Sequence, residues 1–237
     1  MMRSFEVSKP QTVEFFQVWD VYAKVVANNY MFHRELGEGV RAALAKRFGA
    51  RAFSILDLGC GDAATFAPLL EGLAVKSYRG VDLSEPALAL ARENLSRLDC
   101  PIDLAQADFM DALAETEPVD AVYTSFALHH LSTDRKAEFF RLCAHKLATG
   151  GLLVVVDVNR REEESLSDYR RNYCDWLRAT MTALAPSEQD GVCDHLVSND
   201  FPEPRSALRA LGRAVGLSTL ERIRPHQWHG LMVFGKD

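Results

Sequence analysis

The segment from Phe53 to Ala63, Phe-Ser-Ile-Leu-Asp-Leu-Gly-Cys-Gly-Asp-Ala, constrains the fold more than any other part of the chain. Residues 53–58 are mainly apolar and predict a buried strand, which a Gly-x-Gly turn at Gly59 and Gly61 follows. A helix is expected over residues 62–71. Glycines let a backbone approach a ligand closely, and the first amides of the helix then face whatever lies beyond the strand. The segment therefore predicts a parallel strand, a ligand-facing loop and a helix.

Strand-like and helix-like stretches alternate five times through residue 156. The expected strands cover residues 53–58, 75–81, 102–107, 119–124 and 152–156. Helices are expected after Ser84, a plausible N-cap, and after Ser132 or Thr133, with the second helix stopping at Gly150-Gly151. This alternation indicates an α/β fold with a doubly wound parallel sheet.

The segments on either side of this core suggest one domain, residues 1–237, with additions. Residues 1–50 predict a helical cap, with helices over 12–30 and about 35–48 that a break at residues 28–30 separates. Residues 51–159 form the expected core. Residues 204–237 predict a closing helix, which Pro204 opens, and two strands over 217–223 and 231–234.

Residues 160–203 are too long and too polar for a simple connection and predict a helical lid or substrate-binding insertion. A loop is expected through Pro186 and Gly191. Tyr169, Tyr173 and Trp176, at spacings of four and three, share one helical face. That face either docks the lid or forms an aromatic wall of a substrate pocket, and the spacing does not decide between the two.

Composition excludes several classes of protein. The net charge of −6 and pI of about 5.7 provide no bulk positive field for nucleic acid. No run of eighteen apolar residues predicts a membrane span, and residues 1–11 lack an apolar signal core. The five cysteines have no paired spacing, which is typical of reduced thiols in a cytoplasm. We therefore expect a cytoplasmic monomer or homodimer with no nucleic-acid or membrane partner.

The run Asp57-Leu-Gly-Cys-Gly-Asp-Ala63 resembles the first motif of class I S-adenosylmethionine-dependent methyltransferases. The family pattern has a third glycine where this chain has Ala63. The resemblance implies a seven-stranded, mostly parallel sheet that a pair of strands closes. It also implies S-adenosylmethionine as cofactor, a small molecule as methyl acceptor, and a cofactor loop that includes Asp57, Gly59, Cys60 and Gly61.

Asp82 ends the second expected strand, 25 positions after Asp57. A carboxylate there offers two oxygens to the ribose hydroxyls of a nucleoside, and we assign Leu83 to the same site. The alternative is an acid that only stabilises the helix after Ser84, since a negative charge suits a helix N-terminus.

The ends of the third and fourth strands supply the rest of the expected cofactor site. The resemblance implies that Asp108 meets the adenine amino group, that Phe109 packs on the ring, and that Ser125 and Phe126 contact the methionyl part. Tyr22 could reach over the cofactor from the N-terminal cap.

Candidate catalytic and substrate residues lie beyond these strands. His129 or His130 could accept a proton from an acceptor, although similar loops carry histidines for packing. Tyr30 is a further catalytic candidate and His33 a substrate-binding one, although the cap tyrosines could equally be packing aromatics. No metal is expected, because adjacent histidines usually point apart and no Asp or Glu adjoins them in the sequence.

Three rival functions remain open at this point. The segment Gly59-Cys-Gly-Asp-Ala-Ala64 also fits the G-x-G-x-x-A pattern of nicotinamide-dependent oxidoreductases; Asp57 and the pair Asp108-Phe109 argue against that rival. A second rival consumes S-adenosylmethionine by internal cyclisation or cleavage. A third is a non-enzymatic nucleoside-binding module.

Overall fold

The computed structural model describes residues 19–220 and 226–237. These residues form a seven-stranded sheet in the order β3-β2-β1-β4-β5-β7-β6. The strands are β1 Phe53–Leu58, β2 Val75–Asp82, β3 Ile102–Gln106, β4 Val119–Ser125, β5 Leu147–Val158, β6 Ser218–Thr219 and β7 His229–Gly235. Strands β1 to β5 pair in parallel, and β7 runs antiparallel to β5 and β6. The predicted doubly wound sheet and its closing pair of strands are confirmed.

Helices cover both faces of the sheet. They are α1 (residues 19–27 of the described chain), α2 His33–Phe48, α3 Ala67–Leu70, α4 Glu85–Asn94, α5 Phe109–Glu115, α6 Thr133–Lys146, α7 Leu166–Thr180, α8 Pro186–Asn199 and α9 Arg205–Ala214. Short 3-10 turns cover Leu95–Arg97 and Leu128–His130. Hydroxyl oxygens cap several starts, as expected: Ser84 accepts from Ala87 N at 3.3 Å and Ser132 from Arg135 N at 3.4 Å.

Apolar side chains bury the sheet from two sides. One cluster joins α2 and α3 to the sheet through residues such as Val40, Phe48 and Phe66. The other joins α5, α6 and α9 to its opposite face through residues such as Leu113 and Phe140. Burial on both faces explains why the central strands are nearly continuous apolar runs.

The N-terminal cap and the lid pack on each other beside this core. Val25 of α1 belongs to a third buried cluster together with Tyr173 of α7 and Leu196 of α8. Lys24 of α1 and Glu188 of α8 form an ion pair at 2.6 Å. Within the described ranges, none of the helices is long and apolar enough to cross a membrane.

The structure corrects two of the predicted helix boundaries. The helix expected over residues 62–71 is only α3, because Gly61 and Ala63 both have positive φ angles, of 53° and 54°, which interrupt a right-handed helix. Helix α6 ends at Lys146 instead of Gly150, because Leu147 already pairs with Val119 as the first residue of β5.

The predicted loop through Pro186 and Gly191 is wrong, since both residues lie in α8. Pro186 stands at the first helical position, where its missing N–H costs nothing, and Glu188 accepts a hydrogen bond from Ala185 N at 2.7 Å. Residues 1–18 of the predicted cap and 221–223 of the predicted strand over 217–223 lie outside the described residues.

Candidate active site

The loop between β1 and α3 folds over the end of the sheet where the strand order reverses. Gly59 N and Cys60 N both donate hydrogen bonds to Val81 O, at 2.8 and 3.0 Å. Gly59 has a φ of 74°, and a Cβ there would lie 2.8 Å from the Cβ of Ala127. The loop therefore needs glycine at this position, and it places backbone amides at the switch point where open α/β sheets bind ligands.

Ala63 takes the place of the third glycine of the motif and keeps the conformation that a glycine would adopt. Its φ is 54° and its side chain is buried. A left-handed alanine costs about 1–2 kcal/mol. Burial of the methyl group offsets about 0.8 kcal/mol of that cost, so the departure from the motif leaves the loop intact.

A cavity of about 230 Å³ lies beneath this loop, between the strand ends and α1. Its lining residues are Trp19, Tyr22, Asp57, Gly59, Cys60, Gly61, Asp62, Thr65, Phe66, Tyr123, Ser125 and Phe126. A wider cleft of about 430 Å³ lies near Leu70 and Cys100, at the amino ends of β2 and β3. Parallel sheets bind ligands at the carboxyl ends of their strands, so the smaller cavity is the candidate site.

Asp57 presents an unpartnered carboxylate oxygen within this buried site. Its Oδ2 accepts a hydrogen bond from the Tyr78 hydroxyl at 2.6 Å, whereas Oδ1 is buried and has no hydrogen-bond partner. Burial raises the pKa of Asp57 to about 7; the Tyr78 hydrogen bond opposes this shift, and the charge of Asp82 adds to it. A buried acceptor without a donor suits a ligand that supplies one.

Asp82 ties the loop to the next helix. Its Oδ2 accepts from Gly61 N and its Oδ1 from Ser84 N, both at 2.8 Å. Each oxygen keeps a second acceptor position, so Asp82 serves as a helix-entry acid and remains able to accept hydroxyl groups. The side chain of Leu83 is 69% exposed beside it.

Three comparisons with known proteins agree with this arrangement. A family described as "Methyltransferase domain" matches residues 55–151. An uncharacterized methyltransferase of Anoxybacillus flavithermus is 25% identical over 160 residues, which are 65% of this chain and 73% of the relative. A ubiquinone biosynthesis O-methyltransferase of a Caulobacter species is 33% identical over 108 residues, which are 45% of this chain and 41% of that relative.

A solved structure extends the likeness to the whole fold. Magnesium protoporphyrin IX methyltransferase of Synechocystis, with bound S-adenosylmethionine, superposes with a TM-score of 0.63 at 14% identity and covers 99% of this chain and 100% of its own. The chain carries a class I, S-adenosylmethionine-dependent methyltransferase domain. The nicotinamide-dependent alternative loses its support, because the motif from Asp57 to Ala63 lies inside the matched methyltransferase segment.

The third strand of the methyltransferase places two further predicted cofactor residues along the same edge. Asp108 caps α5, where its Oδ1 accepts from Met110 N at 2.8 Å and from Asp111 N at 3.3 Å. Phe109 packs edge-on against Phe139, with ring centroids 6.3 Å apart. The cap hydrogen bonds fix the position of Asp108, and the packing against Phe139 fixes that of Phe109. The assignment of both residues to the adenine stays a prediction.

Cys60 is a packing residue of the cofactor loop. Burial raises the pKa of its thiol, and the charges of Asp57 and Asp82 raise it further. Its Sγ lies 3.7 Å from the Gly61 carbonyl oxygen. A thiol held protonated in this way is a poor nucleophile.

The cap side of the methyltransferase cavity is aromatic. Tyr22 OH lies 3.4 Å from His33 Nε2, and the His33 ring lies 5.1 Å from that of Phe126. Burial lowers the pKa of His33 to about 4, so the ring is neutral at pH 7, and its Nδ1 has no hydrogen-bond partner. The structure thus brings three of the predicted residues together: Tyr22 and Phe126 line the cavity, and His33 lies behind them in contact with both.

His129 and His130 lie away from the cavity lining, against an acid from the end of the lid. Their rings are 4.0 Å apart, and Asp200 Oδ1 lies 3.6 Å from His129 Nε2 and 3.3 Å from His130 Nδ1. The rings do not point apart as expected from the sequence, and α8 brings the carboxylate of Asp200 to both of them from 70 residues away along the chain. Their predicted catalytic role stays untested.

The other predicted site residues hold the lid to the cap and to strand β7. The Tyr30 hydroxyl accepts a hydrogen bond from Ala183 N at 2.8 Å. Tyr169 and Tyr173 are buried, and the Tyr173 hydroxyl lies 2.9 Å from His229 Nε2. Trp176 packs against His229 at 5.4 Å. The aromatic face of α7 therefore packs the lid against its neighbours, which is one of the two roles expected for it. None of the side chains of Tyr30, Tyr169, Tyr173 and Trp176 lines the described cavity.

Sequence reasoning missed Trp19, Tyr78, Asp157 and Asp200. Trp19 packs over the loop, since a Cβ atom added at Gly61 would lie 3.2 Å from Cη2 of Trp19. Asp157 carries a visible signal, since it is the one acid in the apolar run 152–158. Asp200 carries none, because its proximity to His130 depends on how α8 packs.

Proposed function

We propose that the protein transfers the methyl group of S-adenosylmethionine to a small-molecule acceptor in the cavity beneath the Gly59 loop. The observation that carries the proposal is the buried, unpartnered Oδ1 of Asp57 in the cavity wall. The ammonium group of the cofactor would supply the missing donor. Hydrogen bonds to charged groups contribute about 1.5–3 kcal/mol.

The rest of the cofactor would lie along the strand ends. Asp82 retains acceptor positions for the ribose hydroxyls after binding Gly61 N and Ser84 N. The exposed side chain of Leu83 and the half-buried ring of Phe109 would cover the adenine, and Asp108 would accept from its amino group. Ser125 and Phe126 would flank the methionyl part, since both line the cavity.

The acceptor would bind between Trp19, Tyr22, His33 and Phe126. This set of aromatic walls with few polar atoms suits a small, largely apolar and uncharged molecule. His33 Nδ1 would accept a hydrogen bond from the acceptor's hydroxyl or amine. Since its pKa is about 4, His33 would orient that group instead of holding its proton.

Catalysis would then rest on positioning. The S–CH₃ bond would break as the bond from the methyl carbon to the acceptor oxygen forms. The sulfonium would become the neutral thioether of S-adenosylhomocysteine, and the acceptor hydroxyl would pass its proton to solvent water. The sulfonium is already activated, so in-line geometry supplies most of the rate. The O-methyltransferase name of the Caulobacter relative makes hydroxyl-bearing aromatic molecules the first acceptors to test.

The test is a product analysis with methyl-labelled S-adenosylmethionine, with and without a panel of phenols and quinols. We expect label in a methylated acceptor and an equal amount of S-adenosylhomocysteine. A thioether nucleoside that keeps the label without any acceptor would instead show internal cleavage. No product, together with tight cofactor binding, would favour the non-enzymatic binding module.

We also propose a cytoplasmic location. All five cysteines are free thiols, and four of them are buried. Reduced cysteines without partners are typical of proteins in reducing compartments. Fractionation of the native organism with antibody detection would test this proposal, and recovery in an extracellular fraction would contradict it.

A further inference from the structure

We infer that His129, His130 and Asp200 form a binding site for a divalent transition-metal ion, with Zn²⁺ as the preferred ion. The three residues offer two imidazole nitrogens and one carboxylate oxygen, and these atoms all lie within 4.8 Å of one another. This inference is independent of the proposed methyl transfer, since none of the three side chains lines the cofactor cavity.

The two distances that involve Asp200 match the edge of a tetrahedral site. Ligands at about 2.0–2.1 Å from zinc are separated by about 3.4 Å along a tetrahedral edge. Asp200 Oδ1 lies 3.6 Å from His129 Nε2 and 3.3 Å from His130 Nδ1. The two imidazole nitrogens lie within 4.8 Å of each other, so binding of an ion would draw the two rings together.

Asp200 provides an independent indication of a missing partner. Its side chain is 8% exposed, and its Oδ1 accepts no hydrogen bond although it faces both imidazoles. A buried carboxylate oxygen of this kind is costly unless a cation or a donor satisfies it. A bound ion would satisfy it fully.

Asp157 completes the arrangement from behind His129. Its Oδ1 lies 2.5 Å from His129 Nδ1, and its Oδ2 accepts from His129 N at 2.8 Å. Because a carboxylate can only accept, Nδ1 carries a proton, and Nε2 of the neutral ring would direct its lone pair toward Asp200. Metal-binding histidines typically donate their second ring N–H to such a carboxylate.

Nearby charge does not prevent the binding of a cation. Lys136 is the positive group that acts on His129, and its Nζ donates to the carbonyls of Leu131 and Phe201. Two carboxylates, those of Asp157 and Asp200, outweigh it. Two nitrogens and one oxygen favour zinc over magnesium or calcium, which prefer oxygen ligands.

The ion would join the lid to the core. His129 and His130 belong to the turn that follows β4, whereas Asp200 caps the C-terminus of α8. A backbone hydrogen bond already joins the two parts, since Phe201 N donates to His129 O at 2.8 Å. A metal there would fix the end of the lid and stabilise the folded protein.

The rival arrangement has no metal. In it, protonated His129 and His130 pair directly with Asp200, and His130 Nδ1 donates to Asn199 O, which lies 3.3 Å away. A zinc titration separates the two, because the rival predicts no specific uptake of metal.

The experiment uses the full chain, freed of metal by chelation and then titrated with ZnCl₂ in a calorimeter and in thermal melts. We expect one equivalent to bind, with a rise in Tm of about 5 °C or more at a hundredfold excess over the Kd. His130→Ala and Asp200→Asn should each weaken binding at least tenfold. Asp157→Asn should weaken it about 10–100-fold.

His145→Ala is the matched control, since His145 is an exposed histidine of α6 outside the cluster. It should bind zinc like the wild type. The side chain of His130 is partly exposed, so we expect His130→Ala to fold. This variant therefore tests the site even if Asp200→Asn does not fold. The inference is overturned if the wild type binds no zinc, or if His130→Ala and the control bind it equally well.

Discussion

The Tyr78 hydroxyl donates a hydrogen bond to Asp57 Oδ2 across the β1–β2 pair, at 2.6 Å, and leaves Oδ1 as the one oxygen of that carboxylate without a partner. Tyr78 is fully buried and Asp57 is 1% exposed, so this pair is held in the core at the edge of the cavity. The strand that begins the cofactor loop therefore carries a preset acceptor for a donor from the ligand.

The first prediction is a pH-dependent affinity for S-adenosylhomocysteine. Burial raises the pKa of Asp57 to about 7 in the free protein, and a bound ammonium group would favour its ionised form. Affinity should therefore rise by up to tenfold per pH unit between pH 5.5 and 7, and then level off. Calorimetry over this range checks it. Asp57→Asn should bind more weakly and without this dependence, and an equally steep rise in that variant would refute the assignment.

The second prediction concerns the stability of the ligand-free protein. A carboxyl with a raised pKa in the folded state favours folding at low pH, and this contribution is lost as the pH rises through about 7. Asp57→Asn cannot ionise. The free energy of unfolding of Asp57→Asn minus that of the wild type should therefore be larger at pH 8 than at pH 5, as measured by urea unfolding. An offset that is constant with pH would contradict the raised pKa.

The third prediction is that Asp82→Asn weakens cofactor binding by roughly 1.5–3 kcal/mol through lost hydrogen bonds to a charged group. It should also lower stability, because both oxygens accept backbone hydrogen bonds, from Gly61 and Ser84. Asp103→Asn is the control, since Asp103 is an exposed acid that pairs with Arg79, at 3.4 Å, on the protein surface. Should Asp82→Asn bind as tightly as the control, Asp82 is only a helix-entry acid.

The fourth prediction tests the contact between cap and lid. Tyr30→Phe removes the acceptor of Ala183 N and should cost about 1 kcal/mol of stability. Hydrogen exchange over residues 181–188 should accelerate. Lys24→Ala breaks a half-exposed ion pair with Glu188 at the same junction and should cost less than about 1 kcal/mol. Equal protection in Tyr30→Phe and the wild type would show that this bond does not hold the lid.

The fifth prediction concerns acid stability. Burial lowers the pKa of His33 from 6.5 to about 4, so its contribution to stability is complete above pH 6.5 and is lost as the pH falls toward 4. His33→Gln should reduce the pH dependence in that range by up to about 1.4 kcal/mol per pH unit. Unfolding curves at pH 4.5 to 7 measure it, and unchanged slopes would place His33 in a more exposed setting.

The sequence was sufficient where local spacing alone fixes a position. Gly59, Gly61 and Asp82 lie at strand ends, and the pairing of β1 with β2 brings them to one edge. Buried apolar runs identified the central strands for the same reason. These features depend on few long-range contacts, so a single sequence carries them.

The sequence was insufficient where packing decides the conformation. The left-handed backbone at Ala63 shortens α3, although alanine is the strongest helix former. Pro186 begins a helix whose first turn is fixed by the hydrogen bond from Ala185 N to the Glu188 carboxylate. Asp200 meets His129 and His130 only after α8 has docked, which no local pattern announces.

The most direct test of the account is a calorimetric titration of the full chain with S-adenosylhomocysteine and, separately, with NADH. We predict one site with a micromolar Kd for the first ligand, on the order of 8 kcal/mol, and no heat of binding for the second. Binding of NADH without any response to S-adenosylhomocysteine would contradict the account.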